Sequence, residues 1–314
     1  MTEAPTSNRK RWVRLILGLA GVAFAVHVLL PQVKELPGAI HQAEAGSYWW
    51  LLAAIVTSLV SYFGASISLQ GSLEATIPFW PATETQLATS FTGLTAPQGV
   101  GALTTNLHFL QKQGVPQATA ATAVGLNDVA GVIVHVVSLI LAVLLFGRSL
   151  VSGIRVPPRW ELLAAVGAFG LVAGVVVWSP LGQHRLLPAV TRAARSLGAT
   201  LRLPVRFAQL FGGSALVTFS NALTLAFALD AFGSSIPTSS VIAVYLVAAA
   251  IASIAPTPGG LAALEAALVA GLTAVGVIAS TAVAGVLIFR LLTFWAPIIP
   301  GVWALRRLRH RGLI

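Results

Sequence analysis

The amino-acid sequence predicts an all-α polytopic membrane protein, with about six full transmembrane helices and two re-entrant helical hairpins in an inverted repeat. Of its 314 residues, 56% are hydrophobic and 9% are charged, and the mean hydropathy is +0.86. In soluble domains roughly a quarter of the residues are charged. Apolar runs of spanning length recur along the chain, and two apolar stretches are interrupted in the middle by proline and glycine.

Six apolar segments are long enough to cross a bilayer, because a spanning helix needs ~20 apolar residues. These segments are residues 12–30, 48–70, 116–146, 160–178, 207–232 and 279–303. We expect residues 12–303 to form one transmembrane domain. A basic, disordered tail is expected at residues 1–11 and a basic cytoplasmic tail at residues 304–314.

The clearest interruption lies between two apolar arms, residues 241–254 and 261–275. The breaker residues between the arms are Pro256, Pro258, Gly259 and Gly260. Proline removes a helical donor and clashes with the preceding turn, so the helix cannot continue. Each arm is too short to span, which predicts a re-entrant hairpin. Broken backbone at membrane depth must be buried by protein or face a watery cavity.

A second broken stretch, residues 85–112, is interrupted at Pro97 and Gly101. Laid over the first, it pairs Pro97 with Pro256 and Asn106 with Glu265; after a three-residue offset, Asp128 falls opposite Arg290. The chain then divides into two repeats, residues 12–147 and 160–303. Each repeat has three spans, an odd number, so the two insert with opposite orientation, as in many membrane transporters.

The formal net charge of +10 is concentrated at the N-terminus, at the connector 184–206 and at the C-terminus. Positively charged segments favour the cytoplasmic side, so we expect both termini there, in a bacterial inner (cytoplasmic) membrane. The basic clusters flank spans and carry no nucleic-acid-binding motif, so no nucleic-acid partner is expected. The absence of Cys excludes disulfides and thiolate metal sites.

Charged residues inside apolar segments are expensive, and functional by default. Arg290, Glu265 and Asp128 are therefore candidate substrate-binding residues, with the polar Asn106, His108 and Asn127 as further candidates. A structural ion pair between Asp128 and Arg290 is the alternative for those two. A helix-dipole role is the alternative for Glu265. The scattered His residues predict no metal site, and no cofactor motif is present.

The pattern Pro256-Thr257-Pro258-Gly259-Gly260-Leu261, with Glu265 following, and the later Phe289-Arg290 with Trp295, carries a family resemblance. The chain resembles the lysylphosphatidylglycerol synthase membrane-domain family, which includes the flippase-like N-terminal domain of multiple-peptide-resistance proteins, over roughly residues 20–309. The resemblance implies lipid translocation, with Glu265, Arg290 and Asp128 as site residues. Two features depart from it: the first hairpin is neutral where relatives often have Arg, and the cytosolic aminoacyltransferase domain of fused members is missing.

We therefore expect a flippase-like transporter, and not an enzyme, that moves a lipid between leaflets. An aminoacyl phospholipid or a polyprenyl-phosphate glycolipid would suit an arginine that binds phosphate. Membrane lipids are the expected partners, with a separately encoded lipid synthase as a further one. The alternatives are an intramembrane enzyme acting on a lipid phosphate and a noncatalytic membrane partner of such a synthase.

Overall fold

The computed structural model describes residues 48–94, 100–151, 203–254 and 263–314, and every regular element within those ranges is helical. The helices are α1 Tyr48–Gly71, α2 Phe79–Thr92, α3 Val100–Lys112, α4 Gln117–Val151, α5 Pro204–Asp230, α6 Thr238–Ile254, α7 Ala263–Ala274, α8 Ala279–Arg290 and α9 Ile298–His310. A π-helical turn, Leu291–Trp295, connects α8 to α9.

Four helical segments are long and apolar enough to cross a membrane: Tyr48–Gly71, Gln117–Ala142, Pro204–Asp230 and Ala279–His310. Each coincides with a predicted span. The protein is therefore a multi-pass membrane protein. The two other predicted spans, residues 12–30 and 160–178, lie outside the described residues. The last segment combines α8, the π turn and α9, so the predicted basic tail begins inside a helix.

Two pairs of short helices stand where the hairpins were predicted, α2 with α3 and α6 with α7. The breakers Pro97, Pro256, Pro258, Gly259 and Gly260 lie outside the described residues, and entry of either pair into a membrane from one side stays a prediction. Gly101 differs from its predicted role as a breaker, because it lies in the first turn of α3. A Cβ at Gly101 would collide with the carbonyl oxygen of Thr92, so glycine permits close packing of α3 on α2.

The connector between the predicted span 48–70 and the predicted broken stretch 85–112 is shorter in the structure, because α2 already begins at Phe79. Pro78 precedes the helix, and Trp80 and Pro81 lie in its first turn. The first backbone N–H groups of a helix have no intrahelical partner, so a proline there removes no hydrogen bond. Pro78 and Pro81 are therefore compatible with the start of α2.

The described helices of the two halves follow the same order at nearly constant spacing. One shift in residue number carries the last residue of α1, Gly71, onto the last residue of α5, Asp230. The same shift carries the first residue of α2, Phe79, onto the first residue of α6, Thr238. A shift three residues larger relates the starts of α4 and α8.

The turns that follow α3 and α7 also have the same geometry. Gly114 and Gly276 adopt positive φ angles of 82° and 99°. The next residue donates its N–H to the carbonyl five residues earlier, at 3.1 Å for Val115 to Leu110 and 3.0 Å for Val277. This is the glycine-ended Schellman motif. The three-residue offset that places Asp128 opposite Arg290 in the sequence alignment also pairs Gly114 with Gly276, so the alignment pairs two turns of one conformation.

The helices α1 and α5 pack closely along small residues. The backbones approach at Gly64 and Gly213, where a Cβ on Gly213 would lie 2.7 Å from the Gly64 carbonyl oxygen. Ser68 donates to the Leu210 carbonyl at 3.0 Å, and the Thr57 and Thr224 hydroxyls are 2.9 Å apart. Small residues and interhelical hydrogen bonds are the usual means of joining helices in lipid. Both pairs of short helices pack against these two central helices, α2 against α1 and α6 against α5.

Candidate functional site

A buried ion pair joins two charged residues of apolar segments: Glu265, in the arm 261–275, and Arg290, in the span 279–303. Glu265 lies in the first turn of α7, and Arg290 is the last residue of α8. The Arg290 Nε lies 2.6 Å from the Glu265 Oε1, and the side chains are only 7% and 12% exposed. Two charges at this depth are stabilised by each other, since an isolated charge there would be very costly.

Aromatic side chains enclose the guanidinium of Arg290. Its Cζ lies 4.5 Å from the centre of the Phe294 ring, within range of a cation–π interaction. Tyr245 of α6 packs edge-on against Phe289, with ring centroids 6.0 Å apart. Asn221 of α5 lies beside the Tyr245 hydroxyl. Helices α5, α6, α7 and α8 therefore all contribute to the surroundings of one cation.

Arg290 stands at the point where the helix changes its winding. In the π turn that follows, Ala296 N–H donates to the Leu291 carbonyl at 2.7 Å. The next residue, Pro297, has no N–H and clashes with the carbonyl four residues earlier, which favours a wider turn. The Leu292 carbonyl accepts a hydrogen bond of 2.8 Å from Ser58 of α1. Single π turns in α-helices occur frequently at functional sites.

Glu265 keeps one unused acceptor. Its Oε2 is buried and has no hydrogen-bond partner in the described part of the chain, although its Oε1 is engaged with Arg290. A buried carboxylate oxygen without a partner is costly and calls for an explanation. A proton or a donor group brought by a ligand would satisfy it.

Asp128 is not the partner of Arg290, contrary to the structural pair considered from the sequence. It is exposed on α4 and lines a groove of about 490 Å³ between α1, α4, α5 and α6. We call this cavity the Asp128 groove; its polar lining residues include Asn127, Asp128, His135, Ser214, Thr218 and Ser253. The charges singled out in the sequence therefore occupy two locations: an ion pair at Arg290 and a carboxylate in a separate groove.

Asn106 and His108 belong to neither location. The Asn106 Oδ1 accepts a hydrogen bond from Gln86 Nε2 at 2.9 Å, which joins α3 to α2. His108 is exposed on α3. Of the six predicted substrate-binding residues, the structure thus brings together Glu265 with Arg290 and Asn127 with Asp128.

Comparison with protein families decides the assignment of the chain. The family model described as the lysylphosphatidylglycerol synthase TM region matches residues 12–301. The chain belongs to this family. A search of curated proteins gave no match to the chain. Membership in the lysylphosphatidylglycerol synthase TM-region family indicates a lipid-related function in the membrane, as the sequence resemblance implied.

Several residues of the candidate site in this family member escaped sequence reasoning. Tyr245 and Phe294 surround Arg290, yet each looks like one more apolar residue in an apolar helix. Ser214 and Thr218 lie on the same face of α5, since side chains four apart on a helix are neighbours. That spacing was a usable signal, although serine and threonine are common where membrane helices pack.

Proposed function

We propose that the protein is a flippase-like transporter that moves a lipid between the leaflets of a membrane, without changing the lipid chemically. The observation that carries the proposal is the buried pair of Glu265 and Arg290, with the π turn directly after Arg290 and the predicted breaker residues shortly before Glu265. Charged residues at membrane depth that meet at broken helices are typical of transporter binding sites.

The substrate's phosphate is the group that suits Arg290. A guanidinium presents planar donors that match phosphate oxygens, and its binding to phosphate is strengthened in a site of low dielectric. In our proposal a lipid phosphate competes with Glu265 for Arg290. The displaced carboxylate then accepts a cationic headgroup or a proton, so that the buried site never holds an uncompensated charge. An aminoacyl phospholipid and a polyprenyl-phosphate glycolipid both provide the phosphate.

The architecture supports alternating access. Helices α1 to α4 and α5 to α9 follow one order, and the two Schellman turns have the same geometry. In transporters built from inverted repeats, one half rocks against the other around a fixed site. We place this transporter in a bacterial cytoplasmic membrane with both termini in the cytoplasm, because the basic clusters favour that orientation. A separately encoded synthase would supply its lipid.

Cysteine labelling tests the orientation of the two broken stretches. The chain contains no Cys, so the single variants Gln98→Cys and Thr257→Cys each carry one thiol that can be probed alone. We expect membrane-impermeant thiol reagents to label Gln98→Cys from the cytoplasmic side and Thr257→Cys from the outer side. Arg309→Cys, in the basic segment, marks the cytoplasmic side as the control. Labelling of both hairpin positions from one side would contradict the inverted repeat.

A lipid-movement assay in proteoliposomes tests the function, and the decisive variant is Glu265→Gln. Glutamine can still accept the hydrogen bond of Arg290 but has no charge, so we expect folded protein of lowered thermal stability that moves no lipid. Glu265→Asp should retain partial activity. Glu74→Gln removes an exposed carboxylate from the loop after α1 and should transport normally.

Rates should be normalised to the folded fraction of each preparation, and mass spectrometry should follow the lipid. Transport by Glu265→Gln at the wild-type rate would mean that the carboxylate serves only the scaffold. A chemically altered lipid would instead identify an intramembrane enzyme. The proposal would be contradicted if the wild-type protein neither moved nor converted any phosphate-containing lipid.

A further inference from the structure

The Asp128 groove has a lining that the proposed lipid site does not use. It opens on the middle of α4, one of the helices that is long and apolar enough to cross the membrane. Asp128 is exposed to this groove and forms no ion pair with any residue of the described ranges. A carboxylate at such a depth without a cationic partner is expensive, which points to a cationic ligand.

The hydroxyl groups of the groove donate their protons elsewhere. Ser68 donates to the Leu210 carbonyl, so Ser214, 2.9 Å from the Ser68 oxygen, must be the donor of that second bond. Thr218 donates to the Ser214 carbonyl at 3.1 Å, and Ser253 donates to the Ala250 carbonyl at 2.7 Å. A hydroxyl has one proton and two lone pairs, so what remains for a ligand is oxygen lone pairs.

The lining also contains the polar side chains of Asn127 and His135. Asn127 lines the groove next to Asp128, and its Oδ1 is buried without a partner among the described residues. The Nε2 of His135 lies 2.9 Å from the Leu246 carbonyl, which can only accept. That nitrogen therefore donates its proton to the carbonyl. Among the described lining residues, the groove therefore presents hydroxyl oxygens that can accept, the amide of Asn127 and one negative charge.

From this lining we infer that the Asp128 groove binds a monovalent cation. Asp128 is the charged side chain among the described residues of the lining, and a cation balances that charge while the hydroxyl oxygens offer it their remaining lone pairs. Carboxylate, amide and hydroxyl oxygens suit hard ions and not thiophilic metals. A single carboxylate balances a single charge, whereas calcium sites use several carboxylates. Both an inorganic ion and the ammonium of a lipid headgroup have this chemistry. The inference stands on the groove alone and does not require that the protein move lipid.

Cation-dependent thermal stability of the full chain in detergent tests the inference. A ligand that binds only the folded state raises the melting temperature with its concentration. At a fixed alkaline pH and constant ionic strength, NaCl, KCl and ethylammonium chloride should each be titrated against N-methyl-D-glucamine chloride. We expect saturable stabilisation by at least one of the three. Stabilisation by sodium or potassium identifies an inorganic ion, and stabilisation by ethylammonium alone identifies a headgroup amine.

Two variants locate the site. Asp128→Asn should weaken cation affinity by at least about tenfold, because the charge is lost while the shape is kept. Thr218→Val removes one ligand oxygen and should weaken it severalfold. The matched controls are Asp230→Asn, at the end of α5, and Thr273→Val, whose hydroxyl bonds a carbonyl within α7. Both should bind cations like the wild type.

Equal stabilisation of the wild type and Asp128→Asn would overturn the inference, as would stabilisation by none of the three cations. Direct binding of radioactive sodium or rubidium to the same preparations gives a second readout if a variant folds poorly. Glu265→Gln should retain cation binding. A wild-type protein that binds the cation but moves no lipid would contradict the proposed function and leave this inference standing, whereas lipid movement without cation binding would do the reverse.

Discussion

Replacement of Arg290 by glutamine should lower the free energy of unfolding by about 3–5 kcal/mol, the usual cost of removing one partner of a buried ion pair. The change leaves Glu265, whose side chain is 12% exposed, without a counter-charge among the residues that the structure describes. It also removes the cation from above the Phe294 ring. Denaturant titration of the protein in detergent measures the loss in free energy of unfolding.

The double variant Arg290→Gln/Glu265→Gln isolates the pairing. Two amides can hydrogen-bond without a buried charge, so the double variant should recover most of the stability lost in Arg290→Gln. The control is Arg307→Gln, which breaks the 3.5 Å ion pair with Glu84. The side chain of Arg307 is 40% exposed, and pairs of such exposure contribute about 0–1 kcal/mol. Losses that add in the double variant would mean that Arg290 and Glu265 act independently.

The fold was predictable from hydropathy, because burial in lipid requires long apolar runs. The four spans that fall on described residues were all found, and two pairs of short helices lie where the hairpins were predicted. The boundaries were less accurate. Helix α2 begins earlier than predicted because Pro78 and Pro81 occupy positions where a missing N–H costs nothing. The π turn after Arg290 depends on a local clash at Pro297 that no periodicity reveals.

The site was predictable in its charges but not in its pairing. Arg290 and Glu265 stood out because few charged residues lie in the apolar segments. The repeat alignment placed Asp128 opposite Arg290, yet equivalent positions in two halves touch only when they lie near the axis that relates the halves. Asp128 lies instead in the groove between α1, α4, α5 and α6. Tyr245 and Phe294 carry no charge, so nothing in composition distinguished them from packing residues.

The α1–α5 contact provides a second large effect, because two neighbouring glycines of α5 should respond in opposite directions to alanine. Gly213→Ala puts a methyl group 2.7 Å from the Gly64 carbonyl oxygen and 2.8 Å from the Ser68 Cα. These are backbone atoms, which cannot rotate away, so the helices must separate. Separation also weakens the 3.0 Å bond from Ser68 to the Leu210 carbonyl. We expect a loss of about 1–3 kcal/mol, the usual cost of overpacking.

Gly212→Ala is the matched control, because a Cβ at Gly212 meets nothing within 4 Å. Alanine is the better helix former by up to about 1 kcal/mol, so this variant should equal or exceed the wild type in stability. Thermal unfolding of both variants in one detergent compares them directly. If Gly213→Ala unfolds at the same temperature as Gly212→Ala, α1 and α5 do not pack through Gly64 and Gly213. The difference between the two variants cancels the contribution of helix propensity, so what it measures is the contact between the two central helices.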